Sequence, residues 1–228
     1  DHTDGFPHLV ARLKRAGRTP EFTLNIHRAF FDPKYSSENG SLRYIGCGWD
    51  RQWATSQSFT LNYVDGRGTT LAPGVHLVTA FDRTHPLEVH NPRFVVSRVS
   101  SETAGTTARP VSPDDPTLEI DDFRDEQAIV LETPKGLVVL VGCSHPGIMN
   151  MLDTIRSRFT APVFAVLGGT HLVEARGERL EEALAYLSDE AIPRVGPSHC
   201  TGEEAMNALA RRNPRFFPNV SGTTLTVD

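Results

Sequence analysis

A layered α/β fold is what this sequence predicts, on two observations. From about residue 121 onward, apolar runs of strand length alternate with segments of helical periodicity. Such alternation packs as a sheet covered by helices. From about residue 20 to 120 the chain is rich in Gly, Pro, Ser, Thr and Arg, with only short apolar runs. That stretch reads as an irregular, insert-rich region. At 228 residues the chain can bury one sizeable core and is short for two independent domains, so a single domain over 1–228 is expected.

The elements follow in order. Phe6 to Ala16 is expected to be a helix. Phe22 to Ile26, Phe59 to Tyr63, Val75 to Thr79 and Arg93 to Val99 have strand character. Ser100 to Pro116, dense in Ser, Thr, Pro and Gly, is expected to be a surface loop. Ala128 to Glu132 is a short apolar strand, and Pro134-Lys135-Gly136 a turn. Leu137 to Val141 is apolar throughout and β-branched, the pattern of a buried strand. Ile148, Met151, Leu152 and Ile155 recur at helical spacing over Gly147 to Arg158. Val163 to Leu167 is another buried strand, closed by Gly168-Gly169. Leu180 to Leu187 is an amphipathic helix with Leu180, Ala183, Leu184 and Leu187 inward. Arg194 and Val195 form a short strand into Pro197-Ser198-His199. Glu203 to Arg212 is a helix, and Thr223 to Val227 a final strand.

Composition narrows the function classes. An apolar fraction of 39% and a charged fraction of 22% are ordinary for a globular chain. There is no run of 18 apolar residues, so no membrane span is expected. A net charge of −5 counts against a nucleic-acid surface, which needs clustered cations. Arg211, Arg212 and Arg215 read as a solvated helix end rather than an anion site. Cys47, Cys143 and Cys200 are an odd set with no close paired spacing, which fits a reducing, cytoplasmic setting.

Of nine histidines, three stand just past strands. His145 follows Leu137–Val141 through Gly142-Cys143-Ser144. His171 follows Val163–Leu167 through Gly168-Gly169-Thr170. His199 follows the short strand at Val195. In an α/β sheet the carboxyl ends of the strands are where ligands gather, and neighbouring glycines let the backbone turn sharply. One such histidine is more often a capping or buried polar residue than a ligand. Three together point to a shared site, and imidazole is the commonest zinc ligand. Asp1-His2 adds a carboxylate and another imidazole just before a helix.

These segments resemble the metallo-β-lactamase superfamily. Its His-x-His-x-Asp-His motif survives here in its last two positions, Asp1 and His2, followed by Thr3-Asp4-Gly5-Phe6. Within the superfamily the chain is most similar to the dihydropterin ribofuranosylaminobenzene phosphate synthase group. Three segments carry that likeness: Gly142-Cys143-Ser144-His145-Pro146-Gly147-Ile148, Gly168-Gly169-Thr170-His171-Leu172 and Ser198-His199-Cys200-Thr201-Gly202. It covers about residues 121–228 and the first dozen. The resemblance implies a four-layer αββα sandwich, with the strands and two histidines that precede Asp1 expected upstream. The superfamily's usual Asp ligand is replaced by the Ser144-His145 corner, or else His145 is the third-motif histidine.

The resemblance further implies a metal-dependent hydrolase acting on an ester-type bond, with a phosphodiester or a pterin- or phosphate-related small molecule as substrate. A lactonase, a non-catalytic binding relative and a di-iron oxidoreductase are its rivals. Asp1, His2, His145 and His199 are the expected metal ligands, with Asp1 and His171 catalytic. His171 is read as a ligand, a proton donor, a phosphate contact or a structural residue. Two divalent ions are expected in the intact protein, zinc first, with manganese or iron as alternatives. Bound metal lowers the pKa of its water to about 7, which supplies a nucleophile at neutral pH. Arg83, His85 and Thr201 are expected to contact an anionic substrate, with Glu88 near the first two. Asp121, Asp122 and Asp125 are read as turn caps. Cys143 and Cys200 are read as small side chains packing the site, with thiolate ligation as the lesser alternative.

Overall fold

In the computed structural model, residues 2–19, 21–98 and 112–227 are described. In chain order the helices and strands are α1 (Phe6–Arg15), β1 (Thr23–Ile26), β2 (Lys34–Glu38), β3 (Ser41–Tyr44), α2 (Arg51–Ser56), β4 (Thr60–Tyr63), β5 (Gly68–Ala72), β6 (Val75–Val78), β7 (Phe94–Ser97), β8 (Leu118–Ile120), β9 (Ala128–Thr133), β10 (Gly136–Val141), α3 (Ile148–Arg158), β11 (Val163–Gly169), α4 (Gly177–Leu187), β12 (Arg194–Ser198) and α5 (Glu203–Arg212). They fall into two compact units. One is Asp1–Asp65 with His90–Asp125, and the other is Gly66–Val89 with Glu126–Asp228.

The first unit holds a parallel pair, β1 with β4, and a four-stranded sheet in the order β3-β2-β7-β8. Its core is aromatic. Phe6 on α1 lies 5.5–6.0 Å, ring to ring, from Phe22, Trp49, Trp53 and Phe59. Tilted and edge-on pairs of this kind add to the area they bury. Arg12, Lys14 and Arg15 fall in the last turn of α1, where the helix dipole favours cations. The three aspartates read as turn caps lie in this unit. Asp121 Oδ1 accepts from the Phe123 amide at 2.9 Å. Asp122 instead pairs with Arg98 and Arg124, each at 2.5 Å, and Asp125 with Lys34 at 2.5 Å. Burial pushes the Asp122 carboxyl up, but the two guanidinium groups outweigh it and hold the carboxyl well below its usual range.

The second unit is built on a six-stranded sheet, β12-β11-β10-β9-β6-β5. β10 runs antiparallel to β9 and parallel to β11, which runs parallel to β12. Helices α3 and α4 make the two parallel connections, the βαβ pattern that the alternation in sequence predicts. Central strands covered on both faces are apolar throughout. Leu137 and Val139 on β10 are accordingly fully buried, as are Met151, Leu152 and Ile155 on α3 and Leu187 on α4. The first turn of α3 has no side-chain cap of its own. Glu88, arriving from the loop after β6, accepts from the amides of Met149 and Asn150 at 3.1 and 2.8 Å. A Cβ on Gly147 would fall 2.1 Å from the Glu88 carboxylate, so glycine is needed where that carboxylate docks.

Two expectations change. Thr223–Val227 forms no strand; the segment is largely exposed, and Thr223 turns back to bond Val220 and Pro218. Alternating side chains make a strand only where a neighbour completes the ladder. The region about 20–120 holds more regular structure than its composition suggested: β2, β3, α2, β5 and β8 were not legible. Most of the loop expected at Ser100–Pro116 lies outside the described residues, and Asp115–Thr117 at its end is held by turn bonds.

Leu152 tests the core of the second unit. Leu152→Ala should cost about 2–5 kcal/mol through lost contacts and the cavity left behind, read as a lower urea midpoint. An unchanged midpoint would contradict the packing described.

Candidate metal centre

Register sets where the histidine loops begin. Val141 on β10 pairs with Gly168 on β11, and Gly168 pairs with Pro197 on β12. The three strands therefore end at one level, and their loops leave from one edge. The approach there is very close. A Cβ on Gly168 would lie 2.1 Å from the Val141 carbonyl, and one on Gly169 would lie 2.5 Å from the Gly142 carbonyl and 2.6 Å from Cys200 Sγ. Only glycine fits both positions, and Gly168 is also left-handed, with φ +125°.

Polar bonds lace the loops together. The Gly169 amide donates to the Gly142 carbonyl at 2.9 Å, and Ser144 Oγ donates to the Gly169 carbonyl at 2.7 Å. The Thr170 amide and hydroxyl reach Thr201 Oγ1 at 3.2 and 3.0 Å, and Thr201 Oγ1 donates to the Ser198 carbonyl at 2.8 Å. Ser144, His171 and His199 all hold left-handed backbone, at φ 60°, 49° and 52°. Sequence reasoning assigned the sharp turns to the glycines, but the histidines themselves carry two of them. Each costs on the order of 1–3 kcal/mol and persists only where the surroundings impose it.

The side chains meet at this edge. The rings of His145 and His171 have centroids 4.7 Å apart. Cys143 Sγ lies 3.5 Å from His199 Nδ1, and Cys200 Sγ donates to the Cys143 carbonyl at 3.4 Å. The thiols of Cys143 and Cys200 also bond each other. That contact pulls the Cys200 thiol down and pushes the Cys143 thiol up, while burial raises both.

One residue of the candidate site was missed. Glu126, its side chain 10% exposed, places Oε2 2.7 Å from His145 Nδ1 and 3.3 Å from the His145 amide. A carboxylate there fixes the tautomer with hydrogen on Nδ1 and turns Nε2 into the donor atom, the usual support for a metal-binding histidine. Burial pushes the Glu126 carboxyl up, but the bonds from His145 outweigh it and leave the carboxyl below its ordinary value. The sequence signal was slight: Glu126 lies two residues before β9, whose Ala128 pairs with Val141 at the end of β10.

The other expected site residues are placed as follows. Asp1 lies outside the described residues, and His2 is an exposed residue at the start of the first unit. Thr201 is fully buried and engages its hydroxyl in the loop lacing, which counts against a substrate contact. His85 faces carboxylates on both ring nitrogens, Asp153 at 2.8 Å and Glu182 at 3.6 Å, which counts against an anion there. Arg83, also expected to hold an anion, donates to the Pro146 carbonyl at 3.3 Å. Histidine nitrogen and cysteine sulfur on a rigid edge, with a buried carboxylate behind one imidazole, suit a divalent transition metal.

No family model matches the chain. A segment of 89 residues is 37% identical to the 7,8-dihydropterin-6-methyl-4-(beta-D-ribofuranosyl)-aminobenzene-5'-phosphate synthase of Methanocaldococcus jannaschii, covering 39% of this chain and 30% of that protein. A segment of 100 residues is 30% identical to an uncharacterized protein of the same organism, covering 44% of this chain and 36% of that one. The matches thus span about a third of either curated relative. The crystal structure of a metal-dependent hydrolase of the beta-lactamase superfamily superposes with a TM-score of 0.72 at 27% identity, over 90% of this chain and 72% of that one. The α/β fold is therefore that of the metallo-β-lactamase superfamily, as the sequence motifs implied.

Because the folded Glu126 carboxyl sits below its ordinary value of 4.5, its contribution to stability is complete above that pH and is lost as pH falls through the folded value. The stability advantage of wild type over Glu126→Gln should therefore be largest at neutral pH and shrink below 4.5. Urea titrations of both proteins across that range check it; an advantage that grows on acidification would refute the sign.

Proposed function

We propose that this protein is a metal-dependent hydrolase with its centre at the carboxyl ends of β10, β11 and β12. Its substrate is a small molecule carrying an ester-type bond, a phosphodiester or a related pterin phosphate. The observation that carries the reading is the convergence of His145, His171 and His199 on one edge, with Glu126 orienting His145. The partial likeness to a pterin-phosphate synthase and the fold of a metal-dependent hydrolase support the substrate class and the reaction type. His145 and His199 are assigned as ligands, and Asp1 and His2 enter the assignment on their sequence motif alone. Zinc is the metal named first, since imidazole donors suit it.

A divalent metal held there would supply water of lowered pKa and stabilise the charge that develops on the attacked group. The protein's own part is positional. Glu126 holds the proton on His145 Nδ1, so Nε2 keeps a lone pair. The lacing of Ser144 to Gly169 and of Thr170 to Thr201 keeps the loops from relaxing apart, which preserves the spacing that proximity requires. His171 stands beside His145 with Glu174 3.8 Å from its Nε2. In this position it is assigned as the group that gives a proton to the departing oxygen.

His199→Ala should remove both metal retention and hydrolysis of a model phosphodiester. His171→Ala should retain metal and lower the rate by about 10²–10⁴, least for substrates with good leaving groups. Metal analysis run beside phosphodiesterase and lactonase assays decides between the roles. If metal content falls with the rate and leaving-group quality makes no difference, His171 is a ligand. If both metal and rate stay at wild-type values, the Gly168-Gly169-Thr170-His171 corner is structural only.

A further inference from the structure

Cys143 is buried, 5% exposed, in the Cys143-Ser144-His145 loop that also carries a proposed ligand. Its sulfur lies 3.5 Å from His199 Nδ1. A metal with bonds of about 2.3 Å to sulfur and about 2.0–2.1 Å to imidazole nitrogen, at the tetrahedral angle, sets those two donors about 3.5–3.6 Å apart. The separation thus matches the edge of a zinc tetrahedron, between two residues from the ends of different strands. The same separation also serves a sulfur–nitrogen hydrogen bond between the two side chains, and His199 holds a left-handed backbone, φ 52°, at this spot.

We infer that Cys143 is a thiolate ligand that binds the metal together with His199, which makes the donor set mixed sulfur and nitrogen. The inference rests on the metal centre proposed above and deepens it. A thiolate selects borderline cations such as zinc, cobalt(II) or iron(II) and rejects magnesium, calcium and manganese, which prefer oxygen. On coordination the Cys143 S–H proton passes to solvent and the sulfur lone pair forms the bond to the cation, with no change in oxidation state. Cys200 stands behind the pair. Its sulfur lies 3.4 Å from the Cys143 carbonyl and fills the space over Gly169, where a Cβ would meet it at 2.6 Å. Cys200 is the second sulfur at this edge and donor geometry favours Cys143, so both are tested.

Cobalt(II) is the probe. The wild-type protein loaded with it should show a near-ultraviolet sulfur-to-cobalt charge-transfer band beside its visible ligand-field bands. Cys143→Ser should lose the charge-transfer band and keep ligand-field absorption, while Cys200→Ser should keep both. A band lost in Cys200→Ser and retained in Cys143→Ser overturns the assignment. Zinc-edge X-ray absorption on the unaltered protein stands independent of any folding defect in the variants, and a sulfur neighbour at about 2.3 Å is expected. Ligand-field bands without charge transfer, or a zinc shell of nitrogen and oxygen only, overturn the thiolate while the metal centre stands. Failure of the wild-type protein to take up either metal overturns the metal centre, and this inference with it.

Discussion

The close approach of β11 to the end of β10 is the constraint on which the rest of the second unit depends. Gly168 and Gly169 have neighbouring backbone so near that a single added carbon on each would overlap a carbonyl at the end of β10. This closeness lets the Gly169 amide and carbonyl bond the loop after β10 directly. It also keeps the loops after β10, β11 and β12 level. Spread the strands by the width of a methyl group, and Ser144 no longer reaches Gly169. The left-handed turns at Ser144, His171 and His199 would then lose what imposes them. The cost of three such residues, on the order of 3–9 kcal/mol together, is comparable to the whole stability of a domain. The cost is offset by the buried core beneath, where α3 and α4 seal both parallel crossovers.

Legibility in the sequence followed physical cause. Strand β10 could be read because burial on both faces leaves no place for a polar residue, and α3 because its apolar positions share one face. The three histidines could be read because each stands a fixed step past an apolar run. Strands β2 and β3 could not, since Lys34–Glu38 and Ser41–Tyr44 mix polar and aromatic residues, and the second partner of β2, strand β7, is far along the chain. Glu126 escaped for the same reason: its contact with His145 is set by the antiparallel register of β9 on β10, and spacing along the chain does not reveal register. Thr223–Val227 misled because alternation was taken without a neighbour to complete it.

The charged residues after β6 are engaged within the fold. Arg83, His85 and Glu88 look from sequence like a cradle for an anion. In the fold they fasten a loop to α3. Asn150, fully buried, takes the amides of Thr84 and His85 on its Oδ1 and donates to the Pro146 carbonyl. His85 bonds Asp153, which Tyr186 on α4 also meets. The network uses its polar groups on one another, as buried polar groups must.

Glu88 has a further meaning for ligand choice. The amino terminus of a helix is a ready anion site, and that of α3 opens three residues beyond His145. A carboxylate of the protein's own chain already sits on its amides. Tethered there, Glu88 competes at an effective concentration that short chain connections set in the millimolar range or above. A dissolved phosphate or carboxylate at ordinary cellular levels would have to displace it against that advantage. The dipole of α3 is thereby reserved for the architecture, and an incoming anionic group must find its positive partners elsewhere.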